Sequence, residues 1–184
     1  MSKALFVLRR GRWVQLTWLL YMTLIQLYRI KFRVMIRKCL GYTAGVFDLF
    51  HIGHLNILKA ASQDCDRLIV GVTSDELCEK EKKKRPVIPF QERCEIVSSI
   101  KYVDQVIPQH SIDKFDAWQE LGFNKIYVGN DWKGTQRWVN LEKRFAEQYV
   151  KVVYLPYTNS TSSSLIREIL QLELLKLRSM QNAE

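Results

Sequence analysis

The stretch that decides the fold is Thr43-Ala44-Gly45-Val46-Phe47-Asp48-Leu49-Phe50-His51-Ile52-Gly53-His54. An apolar segment, 39–44, leads into it and favours a β-strand, whereas residues 55–61 have the composition and spacing of an α-helix. The glycines and histidines therefore lie at a strand-to-helix turn, where backbone N–H groups and the helix dipole favour an anion. Glycine at positions 45 and 53 also lets a ligand approach the backbone closely.

Two histidines occupy the predicted first turn of that helix. His51 and His54 are three residues apart, so on a helical turn their side chains share a face. Two imidazoles beside the positive end of a helix suit phosphate oxygens better than a metal ion, because the dipole repels a cation. We therefore interpret the turn as a phosphate site and expect no metal held there by the protein.

The rest of the chain alternates short apolar runs with helical patterns. Strands are predicted over 40–44, 68–72, 103–107, 125–128 and 150–155. Helices are predicted between them, over 55–61, 90–100, 114–121 and 138–148. This alternation predicts an α/β fold, a Rossmann-like, doubly wound parallel sheet of five strands with an extra N-terminal helix. Ligands in such sheets bind at the carboxyl ends of the strands, where the histidine turn falls.

The positive charge of the chain lies at its N-terminal end. Residues 1–38 contain nine basic residues and no acid, so the other 19 basic residues balance all 19 acids. A near-neutral body argues against a nucleic-acid partner, which would require a basic surface on the domain itself. The four cysteines form neither a CxxC pair nor a zinc spacing, which favours a reduced, cytoplasmic protein.

Residues 1–37 are predicted to be a basic, aromatic helical appendage to a domain over 38–184. The uncharged run 13–28 has 16 residues, fewer than the roughly 20 that span a bilayer. A spanning helix would also leave Arg9, Arg10 and Arg12 outside, against the positive-inside rule. A secretory signal peptide is not expected, because basic residues follow the run where its small-residue cleavage site should be. Three interpretations stay open: a helix lying on the anionic inner face of the membrane, one packed on the domain or on a dimer mate, and a spanning helix that would break the positive-inside rule.

The turn resembles the HxGH signature of the cytidylyltransferase-like nucleotidyltransferases, with Gly45-Val46-Phe47-Asp48 followed by His51-Ile52-Gly53-His54. The likeness covers about residues 38–170 and is to the bacterial glycerol-3-phosphate cytidylyltransferases within that family. In the family a lysine-rich loop after the second strand reaches the nucleotide phosphates. Here the run 80–86 takes that place. Counted back from Arg93, the family's lysine positions match Lys82 and Lys84. Counted forward from Asp75, the match shifts by one residue.

Two further motifs carry the resemblance. Gly129-Asn130-Asp131-Trp132 is similar to the family's turn after the fourth strand, and the hydroxyl-rich segment 157–164 to its RTEGIST motif. Tyr157 stands where the family has arginine, which removes a phosphate contact or moves it to Lys133 or Arg137. Lys101 likewise replaces an arginine, and a lysine cannot make the bidentate contacts of that residue.

The resemblance implies a site built from all of these motifs. Its catalytic residues would be His51, His54, Lys82, Lys84 and Arg93. Its nucleotide-binding residues would be Thr43, Ala44, Gly45, Val46, Phe47, Asp48, Gly53, Gly129, Asp131, Trp132, Tyr157, Thr158, Thr161, Ser162 and Ser163. The implied reaction joins CMP from CTP to a glycerol-3-phosphate-like acceptor, in a homodimer, with Mg²⁺ on the triphosphate. The alternatives are an adenylyltransferase that uses ATP and an inactive nucleotide-binding scaffold on the membrane.

We expect the intact protein to sediment with anionic liposomes, because arginines would contact the head groups and aromatic rings the acyl boundary. A protein that lacks residues 1–36 is expected to stay in the supernatant. Equal sedimentation of the two proteins would contradict the membrane interpretation.

Overall fold

The computed structural model describes residues 21–22, 25–26, 38–158 and 160–181. Two units make up the chain, Met1–Lys38 and Cys39–Glu184, and the sheet belongs to the second. The predicted N-terminal helix falls almost wholly outside the described residues, so its role stays a prediction. In the part of the chain that is described, no helix is both long and apolar enough to cross a membrane.

Strands and helices alternate through the second unit, as the sequence pattern predicts. The strands are β1 (Leu40–Gly45), β2 (Arg67–Thr73), β3 (Gln105–Gln109), β4 (Lys125–Gly129) and β5 (Lys151–Leu155). The helices are α1 (Ile52–Gln63), α2 (Asp75–Lys82), α3 (Phe90–Ser98), α4 (Lys114–Leu121), α5 (Gln136–Glu147) and α6 (Ser163–Gln181), with a 3₁₀ turn at Asn130–Trp132.

The five strands form one parallel sheet in the order β3-β2-β1-β4-β5. This confirms the predicted five-stranded, parallel α/β fold. The chain runs outward from β1 through β2 to β3, then crosses to the other side of β1 for β4 and β5. The strand order therefore reverses between β1 and β4, and ligands of open α/β sheets bind at such a point, outside the carboxyl ends of the strands.

Each face of the sheet carries its own apolar core, because successive strand residues point to opposite faces. On β4, Ile126 belongs to one core and Tyr127 to the other. The first core contains Phe145 from α5, with Phe123 stacked on Tyr42 at 4.9 Å. The second contains Leu58 from α1 and Val97 from α3. Helices thus cover both faces, and the edge at the strand ends is left for ligands.

Most observed bounds differ from the predicted ones by one to three residues, and two differences have an evident physical cause. Strand β3 begins at Gln105 instead of Val103, because the Asp104 carboxylate accepts a hydrogen bond from the backbone N–H of Leu68 at 2.7 Å and replaces a ladder contact there. The lysine-rich run, predicted as a loop, starts inside helix α2, whose first turn is capped by Ser74. The helix ends at Lys82, and Lys83 has a left-handed φ of 53°.

Candidate functional site

The turn between β1 and α1 has an unusual backbone. Phe47 and Leu49 both have positive φ angles, of 55° and 48°. Side chains other than glycine adopt this region at a cost, so surrounding contacts must hold the turn in place. Two buried charged residues, Arg93 and Asp48, supply those contacts.

Arg93 is fully buried beneath the turn. Its guanidinium donates hydrogen bonds to the carbonyl oxygens of Val46, Thr73 and Ile88, and pairs with the carboxylate of Asp75. Four of its five N–H groups are thereby used within the protein. Arg93 therefore positions the turn and the end of β2, and its predicted catalytic role stays a prediction.

The carboxylate of Asp48 joins three segments of the chain. It accepts hydrogen bonds from the backbone N–H groups of Val87, at 3.0 Å, and Ile88, at 2.9 Å, and pairs with Arg167 of α6. The hydroxyl of Ser163 donates to the backbone carbonyl of Asp48 at 2.7 Å. Asp48 therefore fixes both the loop after the lysines and the start of α6 to the histidine turn.

The two histidines lie side by side, with ring centroids 4.0 Å apart. His51 is the N-cap of α1, and its Nδ1 accepts a hydrogen bond from the N–H of Gly53 at 3.0 Å, which leaves the proton on Nε2. A Cβ at Gly53 would lie 2.8 Å from Cε1 of His51, so any larger residue would have to displace the His51 ring. His54 packs against the rings of Phe47 and Phe50, at 5.3 and 5.5 Å.

Both imidazoles are neutral at pH 7 in this environment. Burial, aided by the neighbouring His51, lowers the pKa of His54 to about 4, although Asp48 opposes the shift. Burial also lowers the pKa of His51. The buried Nδ1 of His54 has no hydrogen-bond partner among the described residues. The pair can therefore offer N–H donors to a phosphate without placing a fixed charge there.

A cleft of about 300 Å³ collects most of the predicted residues, and we call it the central cleft. Its described lining includes Thr43, Ala44, Gly45, Phe47, His51, Gly53, His54, Lys82, Gly129, Asp131, Trp132, Tyr157, Thr158, Thr161, Ser162 and Ser163. Segments from the ends of β1, β4 and β5 and from the starts of α1 and α6 thus face one space. Motifs more than 100 residues apart in sequence share this cleft.

The remaining predicted residues lie elsewhere. Val46, Asp48 and Lys84 line a neighbouring cavity of about 460 Å³, which His54, Lys82 and Arg167 also line. Lys82 lines both spaces. Arg167 lies beside the predicted residues but was not among them. A local signal could have indicated it, because it follows the serine run within one turn of the same helix.

The turn after β4 is fixed to the segment after β5. Asn130 accepts a hydrogen bond from the N–H of Tyr157 at 3.2 Å, and the Asp131 carboxylate folds back so closely that a Cβ at Gly129 would lie 2.3 Å from it. Tyr157 and Trp132 leave 48% and 43% of their surface exposed, so their rings can still contact a ligand.

The two residues proposed as substitutes for the missing arginine at 157 lie outside the central cleft. The ammonium group of Lys133 lies 5.7 Å from the ring centroid of Tyr154. Arg137 donates a hydrogen bond to the carbonyl of Ile112 and lines a different pocket. Neither is among the residues that line the central cleft in the described chain.

Known proteins resemble this chain in sequence. The family model described as Cytidylyltransferase-like matches residues 42–169, which include every predicted site residue. A glycerol-3-phosphate cytidylyltransferase from Bacillus spizizenii is 34% identical over 127 residues, or 68% of this chain and 92% of the relative. An FAD synthase from Thermococcus sibiricus is 30% identical over 136 residues, or 73% of this chain and 92% of the relative.

A solved structure resembles it in fold. The lipopolysaccharide core biosynthesis protein from Thermoplasma volcanium GSS1 superposes with a TM-score of 0.57 and 25% sequence identity. The match covers 67% of this chain and 99% of that chain.

The pKa of His54 makes a testable contribution to stability. Because its folded-state pKa of about 4 lies below the unfolded value of 6.5, the unfolded chain binds more protons between these values. The contribution of His54 to the free energy of unfolding is complete above pH 6.5 and is lost as the pH falls toward 4. Urea unfolding at pH 7 and pH 5 should show a drop in the free energy of unfolding about 2 kcal/mol larger for the wild type than for His54→Gln. Equal drops would contradict the low pKa.

Replacement of Asp48 by asparagine should loosen the loop after the lysines, because one of the two oxygens that accept from Val87 and Ile88 is replaced by an NH₂ group. It also leaves Arg167 without its carboxylate partner. Hydrogen exchange at the amides of Val87 and Ile88 should accelerate, and the free energy of unfolding should fall by about 3 kcal/mol. Asp116→Asn, at an exposed acid that accepts from Ser111, is the matched control and should leave both amides protected. Unchanged protection in Asp48→Asn would refute the positioning role.

Proposed function

This chain belongs to the cytidylyltransferase-like family and is a nucleotidyltransferase, and we propose that it joins CMP from CTP to a phosphorylated small alcohol. The products would be pyrophosphate and a CDP-linked alcohol. One observation carries the proposal: the central cleft gathers both histidines, a lysine, the turn after β4 and the hydroxyl-rich helix start around one space.

The proposed reaction places few demands on acid–base chemistry. An oxygen of the acceptor phosphate attacks the α-phosphorus of the nucleotide, and the bond from that phosphorus to the bridging oxygen breaks, so that pyrophosphate leaves with the electron pair. A phosphomonoester is already ionised at pH 7, so no general base is required. The barrier then arises from charge repulsion and alignment, which positioned donors lower.

Each part of the cleft has a role in this proposal. The Nε2–H of His51, the imidazole of His54 and the amides at the start of α1 would hold oxygens near the α-phosphorus. Lys82, which lines the cleft and its neighbour, would lie between the triphosphate and the attacking group. Thr161 and Ser162, before α6, would bind the outer phosphates through hydroxyl and N–H groups.

The described residues fit a magnesium ion that is carried by the substrate. They contain no cluster of three or more side chains arranged to hold a metal. Asp131 is the carboxylate in the lining of the central cleft, and oxygen ligands suit Mg²⁺. The triphosphate and water would supply the other ligands, and the ion would neutralise charge on the β- and γ-phosphates.

Transfer of AMP from ATP is the second candidate. FAD synthases, such as the Thermococcus sibiricus relative, match this chain over nearly the same length as the cytidylyltransferases. A homodimer and an association of residues 1–37 with the inner membrane surface stay proposals from the sequence.

His54→Ala should lower turnover by about 100-fold or more, because the α-phosphate loses a positioned donor. Pyrophosphate release would be measured with CTP and with ATP against a panel of phosphorylated alcohols, and circular dichroism would check the fold. His110→Ala, at an exposed histidine outside the cleft, serves as the control and should keep full activity. Near-normal turnover of His54→Ala would refute the proposed roles.

A further inference from the structure

A third cavity, of about 240 Å³, adjoins the central cleft, and we call it the tryptophan pocket. Its walls are largely apolar and include Leu77, Ile112, Trp132 and Trp138. It shares with the central cleft the residues Ala44, Gly45, Lys82, Val128 and Trp132. The two spaces therefore meet at the end of β1, beside Lys82.

The tryptophan pocket has an excess of positive charge. Three basic side chains line it, those of Lys82, Lys114 and Arg137, against one carboxylate, that of Glu81. They come from the end of α2, the start of α4 and the start of α5. Lys82 and Arg137 are exposed, whereas Lys114 is partly buried, and the charges of the first two act on the third. A cavity that brings like charges together in this way is suited to bind an anion, because the anion offsets their mutual repulsion.

Among these three basic residues, Lys114 most clearly lacks a negatively charged partner. Its side chain is partly buried and forms no salt bridge with any described residue. The neighbouring acid, Asp113, instead pairs with Arg144 at 2.6 Å and caps α4. Burial, together with the charges of Arg137 and Lys82, lowers the pKa of Lys114 to about 7, which Asp113 only partly opposes.

We propose that the tryptophan pocket holds the acceptor, and that Lys114 and Arg137 bind a second anionic group on it. The inference rests on the proposed function. Lys82 lines both spaces, so the phosphate that attacks would lie beside it. Lys114 and Arg137 line the tryptophan pocket but not the central cleft, so they face the part of the acceptor remote from that phosphate.

The geometry thus points to a substrate class, namely a short phosphorylated hydroxy acid. Its carbon skeleton would contact the apolar walls, and its carboxylate would neutralise Lys114 and Arg137. A phosphorylated polyol has a neutral group in place of this carboxylate, so it would give Lys114 and Arg137 no anionic partner in the pocket.

Two acceptors that differ in one group test this. Glycerol-3-phosphate ends in a hydroxymethyl group, and 3-phosphoglycerate ends in a carboxylate on the same three-carbon skeleton. The wild type should show at least a tenfold higher kcat/KM for 3-phosphoglycerate. In Lys114→Met and Arg137→Gln the ratio of the two kcat/KM values, 3-phosphoglycerate over glycerol-3-phosphate, should fall toward one. Lys143→Met, at an exposed lysine on α5, should keep the wild-type ratio.

A wild-type preference for glycerol-3-phosphate, or an unchanged ratio in both variants, would overturn the inference. If neither compound is turned over with CTP or ATP, the proposed function fails. Calorimetry of 3-phosphoglycerate binding then tests separately whether the tryptophan pocket binds this anion. Binding at least tenfold weaker in Lys114→Met than in Lys143→Met would support the pocket. Equal affinity of these two variants, or the absence of binding to the wild type, would overturn it.

Discussion

The structure of this site depends on the buried carboxylate of Asp48. A carboxylate out of contact with water is costly unless hydrogen bonds and an opposite charge compensate it, and here two backbone amides and Arg167 do so. Those partners come from the loop after α2 and from α6. The cost of burying one charge therefore determines where two distant segments lie relative to the histidine turn.

Arg93 has the complementary role beneath the same turn. Its hydrogen bonds to Val46, Thr73 and Ile88 join the ends of β1 and β2 to the loop that Asp48 holds. Together the two residues stabilise a backbone that would otherwise avoid the left-handed angles of Phe47 and Leu49. The turn held by these contacts presents two imidazoles and the N-terminus of α1 at the point where the strand order reverses.

Charge is distributed around this turn in a way that suits transfer between phosphates. The histidines at its centre are neutral donors, whereas the cations lie at the rim, where Lys82 lines all three cavities. Neutral N–H donors at the centre can bind the phosphates of two substrates. Lys82, which lines all three cavities, can reduce the repulsion between those phosphates. The same arrangement is compatible with CTP or ATP, since in the proposed reaction these groups would contact the phosphates and not the base.

The sequence alone determined the parallel α/β sheet and the turn with His51 and His54, because these follow from local periodicity and a short pattern. The other motifs that meet in the central cleft were identified by their resemblance to the family's motifs. The sequence could not determine that Arg93 is buried, that the lysine run begins as a helix, or that Lys114 and Arg137 share a pocket. Asp48 meets Ile88 across 40 positions and Arg167 across 119. Only the tertiary structure decides such contacts, since they depend on which strands become neighbours and on how each buried charge finds its partner.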